Sequence, residues 1–278
     1  MSNIEKLTDI MARLRSPHGG CPWDLEQDFR SLVPHTLEEA YEVAETIETG
    51  QLHELSGELG DLLFQVVFYA RLAEEQGRFD FEDVVEGIVR KLVSRHPHVF
   101  GDDASITDAR QQSQAWEAHK ARERAGAGSA QGTLAGVASS LPATTRAMKL
   151  QKRAARVGFN WPDVWPVFDK VQEELEELRV EIAQQAPREQ IEDEMGDLLF
   201  ACINLSRMAG IDPETALRGT NRKFERRFAH MEAAASADDT ALAALDLAQW
   251  EALWERAKAG ESVQTGTASA DPVGEREP

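Results

Sequence analysis

Two groups of carboxylates in this chain have a spacing that would place several oxygen ligands around one divalent cation. The groups are Glu38, Glu39, Glu42, Glu58 and Asp61, and then Glu173, Glu174, Glu177, Glu194 and Asp197. Each group reads EExxE, then 15 or 16 residues, then ExxD, and each runs directly into Leu-Leu-Phe. The same chemistry is therefore expected twice in one chain.

Helical spacing explains why these acids would converge. Residues three apart share one face of a helix, so Glu174 and Glu177 project together, as do Glu194 and Asp197. A short connection would make the two helices an antiparallel pair. Two unit charges about 6 Å apart repel by roughly 3 kcal/mol at an effective dielectric of 20. Six such pairs would approach the whole stability of a small domain, about 5–15 kcal/mol, so convergence requires a cation.

The ligand type indicates which cation this would be. Oxygen ligands without histidine or thiolate favour Mg²⁺ or Mn²⁺ over Zn²⁺ or copper. A di-iron carboxylate bundle would need Glu-x-x-His pairs, and the sequence contains none. Acids three apart also decorate solvated helix faces; their repetition beside an apolar run favours the metal site.

The sequence favours the second group as the working site. Thr36-Leu-Glu-Glu39 has the form of a capping box, in which Glu39 would be engaged at a helix start. Glu174 has Val171 at the corresponding position, so it is freer to bind a metal.

Basic and aromatic residues near the second group are candidate substrate contacts. Lys223, Arg226 and Arg227 could contact phosphate oxygens, or they could form an exposed basic face. Lys170 could reach a phosphate or pair with an acid one turn away. Trp254 could stack on a base or belong to the core.

The elements that position these residues are helices in a duplicated arrangement. Matching segments recur at offsets of about 135 residues, which indicates a long-period duplication. We expect an all-α chain of two tandem four-helix-type domains, residues 1–120 and 141–259. An Ala/Gly/Ser-rich linker, 121–140, joins them, and a disordered tail, 260–278, follows.

Caps predict several helix boundaries. A helix should start at Thr36 and close at Gly50, and Asp80 should cap another that stops before Pro97. In the second copy, Asp212 should be an N-cap with Pro213 at the first helical position. The last helix is expected near 242–257.

Composition excludes some functions. The net charge of −19 argues against binding of long nucleic acid through its phosphates. The longest apolar run is about half of a membrane span of roughly 20 residues. Two cysteines at non-equivalent positions predict no disulfide framework. With an N-terminus unlike a signal peptide, the chain is expected in the cytoplasm.

The acids, together with Gly57-Glu-Leu-Gly-Asp-Leu-Leu-Phe64 and Arg95-His-Pro-His-Val-Phe100, resemble the MazG family of nucleoside triphosphate pyrophosphohydrolases. The similarity covers about residues 1–258. It implies all-α domains that dimerise through helix packing, use Mg²⁺, and convert nucleoside triphosphates such as ATP to monophosphate and pyrophosphate. It also implies that the C-terminal copy carries catalysis.

The resemblance implies site residues by motif. The metal ligands would be Glu174, Glu177, Glu194 and Asp197. The nucleotide site would be lined by Lys170, Glu173, Lys223, Arg226, Arg227 and Trp254. A metal-activated water would attack the α-phosphorus, Glu173 or Glu174 would accept its proton, and Lys223 would stabilise pyrophosphate.

Two alternatives stay open at this point. The protein could be a non-catalytic helical dimer that binds Mg²⁺ structurally or senses nucleotides. It could also be a narrow dUTP or dCTP hydrolase of the related all-α class.

Overall fold

The computed structural model describes residues 1–101, 108, 111–112, 115–116, 132–238 and 240–267, with side chains to residue 260. The chain forms two compact units, Met1–Arg124 and Ala125–Pro278. Every regular element in the described ranges is helical, which confirms the all-α class. Within these ranges, no helix combines the length and apolar content that crossing a membrane requires.

The first unit is built around one long helix, α4. Its described helices are α1 (Asn3–Leu14), α2 (Pro22–Glu26), α3 (Val33–Thr49), α4 (Leu55–Glu75), α5 (Phe81–Arg95) and α6 (Pro97–Phe100). Both α1 and α3 pack against α4. Met11, Leu32, Val67, Phe68 and Leu72 form its buried core. The Leu-Leu-Phe phrase after the acids thus anchors α4, since Leu63 and Phe64 pack on this core.

The second unit repeats this arrangement. Its helices are α7 (Ala143–Arg156), α8 (Trp165–Ala183), α9 (Arg188–Met208), α10 (Pro213–Ala237) and α11 (Leu247–Thr267), with a 3₁₀ turn at Leu242–Ala244. α9 packs against α8 and α7, and α10 packs against α11. The apolar contacts of α7 with α9 involve Ala147, Met148 and Ile203.

Three predicted helix boundaries are confirmed. Asp80 caps α5 in a reciprocal capping box with Asp83. Asp212 accepts from the backbone of Thr215 at the start of α10, which has proline in its first turn. Gly50 ends α3 in the left-handed region, at φ 77°, where glycine avoids the steric cost of a Cβ.

The predicted capping box at Thr36 is wrong. Helix α3 starts at Val33, because Pro34 lies in its first turn, where a fixed φ suits helix initiation. Thr36 therefore lies inside the helix, and its hydroxyl bonds the carbonyl of Leu32 and the hydroxyl of Tyr69, each at 3.0 Å. Glu39 is thereby released from the capping role.

The last helix is longer than predicted. The backbone of α11 is helical to Thr267, whereas the sequence predicts its end near 257 and disorder from 260. Gly260 does not stop it, since a glycine inside a helix costs only about 1 kcal/mol. Residues 121–131 of the predicted linker and 268–278 of the predicted tail lie outside the described residues. The domain boundaries drawn from the sequence stay predictions.

Candidate metal centre

Three of the predicted ligands converge between α8 and α9. A connection of four residues joins these helices, so they run antiparallel along a shared groove. Carboxylate oxygens of Glu174, Glu194 and Asp197 all lie within 4.8 Å of one another. Glu174 is buried at the bottom of the groove, with 6% of its surface exposed, and Asp197 is exposed. The cluster therefore has a closed side and an open side.

Glu177 borders this cluster. Its carboxyl shares a hydrogen bond with that of Glu174, one turn away on α8. Burial raises its pKa first, and the charge of Glu174 raises it further. Glu177 is therefore placed to complete the oxygen set from the α8 side.

Lys170 supplies positive charge next to the acids. Its Nζ lies 2.8 Å from Glu173 and 2.7 Å from Glu174. These two hydrogen bonds hold the pKa of Lys170 well above its usual range. The lysine thus makes both contacts that its spacing allows, to the acids three and four residues later.

The positive charge of Lys170 does not neutralise the acid cluster. Burial raises the pKa of Glu194, and the neighbouring charges of Glu177, Glu174, Asp197 and Glu181 raise it further. The excess negative charge faces a groove lined by oxygen ligands, which is the donor set that Mg²⁺ and Mn²⁺ prefer. The residues present therefore fit a hard divalent cation.

The first copy has an equivalent cluster. Oxygens of Glu39, Glu58 and Asp61 lie within 4.8 Å of one another. Burial raises the pKa of Glu39, and Asp61 and Glu42 raise it further. Glu39 thus faces the other acids of its cluster and is not engaged in a cap, so it does not distinguish the first copy from the second as a possible metal site.

The two acid clusters differ in the basic residue that lies beside them. The position of Lys170 is taken in the first copy by His35, whose Nδ1 lies 3.7 Å from Glu38. The His35 ring also packs edge-on against Trp23, with centroids 5.8 Å apart. The second copy thus has a lysine with two short ion pairs where the first has one longer contact to a histidine.

The predicted phosphate and base contacts lie on α10 and α11. The guanidinium carbon of Arg227 lies 5.4 Å from the centroid of the Trp254 ring. Phe224 packs on the same ring at 5.7 Å. Lys223 is half-buried and Arg226 is exposed on the same helix. The charge of Lys170 lowers the pKa of Glu177 against the larger effects of burial and Glu174, and its Nζ pairs with Glu173 and Glu174, so Lys170 lies with the acids.

The second unit also contains a cavity of about 620 Å³ that the sequence does not predict. Residues from α7, the turn after it and the C-terminal half of α9 line it, with Thr133 and Leu134 at one side. Gln151 of α7 is buried at its wall. A glutamine on a helix gives no sequence signal of this kind, because its burial depends on how α7 packs.

Comparison with known proteins agrees with the duplicated architecture. The MazG nucleotide pyrophosphohydrolase domain matches residues 27–100 and 167–231, one segment in each unit. The nucleoside triphosphate pyrophosphohydrolase of Escherichia coli K12 is 48% identical over 260 residues, covering 93% of this chain and 98% of that protein. The nucleoside triphosphate pyrophosphohydrolase/pyrophosphatase MazG of Thermotoga maritima is 42% identical over 259 residues, covering 93% and 96%. The chain belongs to the MazG family of nucleotide pyrophosphohydrolases.

Proposed function

We propose that this enzyme hydrolyses nucleoside triphosphates to nucleoside monophosphate and pyrophosphate, with Mg²⁺ or Mn²⁺ at the second acid cluster and with broad base specificity. The observation that carries the proposal is the convergence of Glu174, Glu194 and Asp197 within 4.8 Å, beside Lys170. The family match and the named relatives support the reaction class. They set aside a non-catalytic role for the chain as a whole.

The reaction requires one water per substrate. Water oxygen forms a bond to the α-phosphorus, the bond from that phosphorus to the bridging oxygen of the β-phosphate breaks, and pyrophosphate leaves. A bound divalent cation would neutralise the triphosphate and lower the pKa of the attacking water. Glu174, Glu177, Glu194 and Asp197 would hold that cation.

The remaining roles belong to side chains of the chain itself. Glu173 or Glu174 would accept the proton of the water. Lys170, one turn before Glu174 on α8, would contact phosphate oxygens. Lys223, Arg226 and Arg227 would bind the charge that develops on pyrophosphate. Trp254, packed against Arg227 at 5.4 Å, would line the nucleotide site.

The duplicated acids provide a matched control for this assignment. Asp197→Asn should reduce turnover of a triphosphate mixture by more than ~100-fold, because loss of a second-shell partner alone costs about 10–100-fold. Asp61→Asn, the same change in the first copy, should leave turnover close to that of the wild type. Near-normal turnover of Asp197→Asn would reject the assignment, and equal losses would place catalysis in both copies.

Comparing turnover of different bases distinguishes an enzyme of broad base specificity from one that prefers a single base. Turnover of all eight standard triphosphates and dUTP should fall within a narrow range. A strong preference for dUTP or dCTP would identify the narrower enzyme class instead.

We also propose that the enzyme acts as a homodimer in the cytoplasm. Leu175 on α8 and Leu199 on α9 are more than half exposed, which supports helix packing against a second copy. Sedimentation velocity at micromolar concentration should give twice the chain mass. A monomeric mass there would reject the dimer.

A further inference from the structure

The two units differ at a core position of their corresponding helices, α4 and α9. Counted from the acids and the Leu-Leu-Phe phrase, Asn204 of α9 corresponds to Phe68 of α4. Phe68 is fully buried, and its ring packs edge-on against those of Trp23 and Phe64, with centroids 6.5 and 5.8 Å away. Asn204 instead lines the cavity of about 620 Å³. The second unit therefore lacks, at its cavity, the ring that fills the core of the first.

The cavity has the size and the lining of a small-molecule site. Its volume lies within the range of ligand pockets, roughly 300–1,000 Å³. Phe159, Trp161 and Phe200 line it together with aliphatic side chains and a small number of polar groups. Flat rings pack against aromatic side chains in offset or edge-to-face arrangements, and a charged ligand would lose its hydration among apolar groups. The lining therefore favours a flat, neutral ligand.

An amide oxygen in the wall of the cavity is buried without a partner. Gln151 is 7% exposed, and its Nε2 donates to the carbonyl of Phe200 at 2.8 Å. Because a carbonyl can only accept, this contact fixes which branch of the amide is the nitrogen. Within the described part of the chain, the other branch, Oε1, has no hydrogen bond. A buried acceptor without a donor is costly, so the cavity favours a ligand that carries an N–H group.

Two asparagines in the lining supply donors. Nη2 of Arg207 donates to Oδ1 of Asn160 at 2.5 Å and to Oδ1 of Asn204 at 2.8 Å. Both amide oxygens face the guanidinium, so each side chain keeps its NH₂ group as a donor. Asn204 lies one turn after Phe200 on α9, next to the carbonyl that Gln151 contacts. The cavity thus combines an acceptor with donors, which suits a ligand whose N–H lies beside a carbonyl.

The segment before α7 closes one side of the cavity. Arg153 donates to the carbonyls of Leu134, Ala135 and Gly136. These bonds hold Thr133 and Leu134 against the cavity, which they line. The wall is thus built by specific contacts within the second unit.

The cavity lining is distinct from the residues assigned to the nucleotide. The acids of the second cluster, Lys170 and Trp254 are all absent from the described residues that line it. We propose that the cavity is a second ligand site of the enzyme, separate from the nucleotide site, and that it takes a neutral planar lactam. The lactam N–H donates to Oε1 of Gln151, its carbonyl accepts from the NH₂ group of Asn204, and its rings pack among the aromatic side chains.

A pair of probes that differ by one methyl group tests the contact to Gln151. 2-Quinolone is a flat bicyclic lactam, and N-methyl-2-quinolone lacks its N–H donor. By isothermal titration calorimetry, the full chain should bind 2-quinolone at least about 5-fold more tightly, the ratio that one neutral hydrogen bond gives. In Gln151→Met, which keeps the apolar bulk, both probes should bind alike. Equal affinities in the wild type, or an unchanged ratio in the variant, would overturn the proposal.

Two further variants test the cavity itself. Asn204→Phe introduces the residue that the first unit has at this position, so it should fill the cavity and abolish binding of both quinolones. Phe159→Ala changes a side chain that is 82% exposed, so it tests the aromatic packing without altering the core, and it should weaken both quinolones by a similar factor. Trp165→Ala, at an exposed ring outside the lining, is the matched control and should change neither. Wild-type affinity in the first two variants would overturn the proposal.

Competition with a nucleotide separates the cavity from the nucleotide site. α,β-Methylene-ATP with Mg²⁺ carries a carbon bridge in place of the oxygen that hydrolysis releases, and it should not displace 2-quinolone. Displacement would place the quinolone in the nucleotide site and overturn the proposal. Failure of the wild type to bind either quinolone would also overturn it. Weaker self-association of Phe159→Ala in sedimentation velocity would then show that a second copy of the chain covers the cavity.

Discussion

At the residue scale, Lys170 supplies positive charge directly beside the second acid cluster. It forms short ion pairs with Glu173 and Glu174, and its pKa is raised by both. The corresponding histidine of the first copy makes one contact at 3.7 Å. We interpret this difference as the main distinction between two otherwise similar clusters.

Replacing Lys170 tests that interpretation. Lys170→Gln should lower kcat/KM for triphosphates by about 10- to 150-fold, since a hydrogen bond to a charged group contributes roughly 1.5–3 kcal/mol. His35→Gln is the same test in the first copy and should change kcat/KM less than threefold. Steady-state kinetics with saturating Mg²⁺ would measure both. Equal losses in the two variants would contradict the assigned difference.

Neutralising one acid should separate stability from activity. The raised pKa of Glu194 reflects burial and then repulsion by Glu177, Glu174 and Asp197. Glu194→Gln removes part of that repulsion, so its melting temperature without divalent metal should equal or exceed that of the wild type. Added Mg²⁺ should raise the wild-type Tm more than that of the variant, and the variant should lose turnover.

Differential scanning fluorimetry with EDTA and then with Mg²⁺ would make this comparison. Glu192→Gln, on the same helix and paired with Arg188 at 2.7 Å, is the control. A lower metal-free Tm for Glu194→Gln than for this control would contradict the repulsion.

The site could be predicted from the sequence only where helical spacing decides position. The convergence of Glu174, Glu194 and Asp197 follows from i,i+3 spacing and one short connection. The predicted capping role of Glu39 is wrong, because the helix begins at Val33 with Pro34 in its first turn, three residues before the capping box predicted at Thr36. The cavity around Gln151 depends on how α7 packs against α9, and residue types alone do not reveal that packing.

At the scale of helices, a buried ion pair joins the first helix to α4. Arg15 is 8% exposed and bonds Glu75 through Nη2 at 2.7 Å. Arg15 also lies over the ring of Phe68, at 5.4 Å from its centroid. Arg71 adds a second contact to Glu75, at 2.9 Å. The pair thus fixes the end of α1 against the core of the first unit.

This ion pair makes the stability of the first unit depend on pH in the acidic range. Burial alone would raise the pKa of Glu75, but the hydrogen bonds from Arg15 and Arg71 outweigh it and lower the pKa below its usual value of 4.5. A lowered folded-state pKa gives stability that is present above pH 4.5 and is lost as pH falls through the folded value.

Glu75→Gln should therefore destabilise the protein at pH 7, and this difference should be smaller at pH 3, below the usual pKa of a glutamate. Urea unfolding of the wild type and the variant at both pH values measures it. Glu74→Gln is the control, because Glu74 pairs with Arg71 at the surface and surface pairs contribute about 0–1 kcal/mol. A Glu75→Gln penalty that is the same at both pH values would contradict the linkage.

Helix boundaries were predictable where a cap is local. Asp80, Asp212 and Gly50 act through atoms within three residues of the boundary, so the sequence carries the signal. The end of α11 was not predictable in this way. Glycine at 260 weakens a helix without stopping it, and the helix continues to Thr267.

For the whole molecule, the duplication gives each unit its own core and its own acid cluster. Phe68 is fully buried in the first unit, and Met231 and Leu253 are buried in the second. The family match likewise falls in two segments, one per unit. We therefore expect the two units to respond separately to core substitutions.

Phe68→Ala should destabilise the first unit by about 3–5 kcal/mol, as for other buried Phe→Ala changes. If catalysis belongs to the second unit, turnover per folded molecule should stay near the wild-type value below the first unfolding transition. Calorimetry would give the temperatures at which the two units unfold. Turnover measured at the same temperatures would show whether activity is lost with the first transition. Loss of turnover in step with the first transition would contradict a purely structural role for the first unit.

Hydrolysis in ¹⁸O-labelled water tests whether water attacks the α-phosphorus of the substrate. The full chain would be incubated with ATP and Mg²⁺ in ¹⁸O-labelled water, and the mass of each phosphorus-containing product would be measured by mass spectrometry. We expect AMP carrying one ¹⁸O atom together with unlabelled pyrophosphate, since water would attack the α-phosphorus. Label in pyrophosphate, or diphosphate with inorganic phosphate as products, would contradict it.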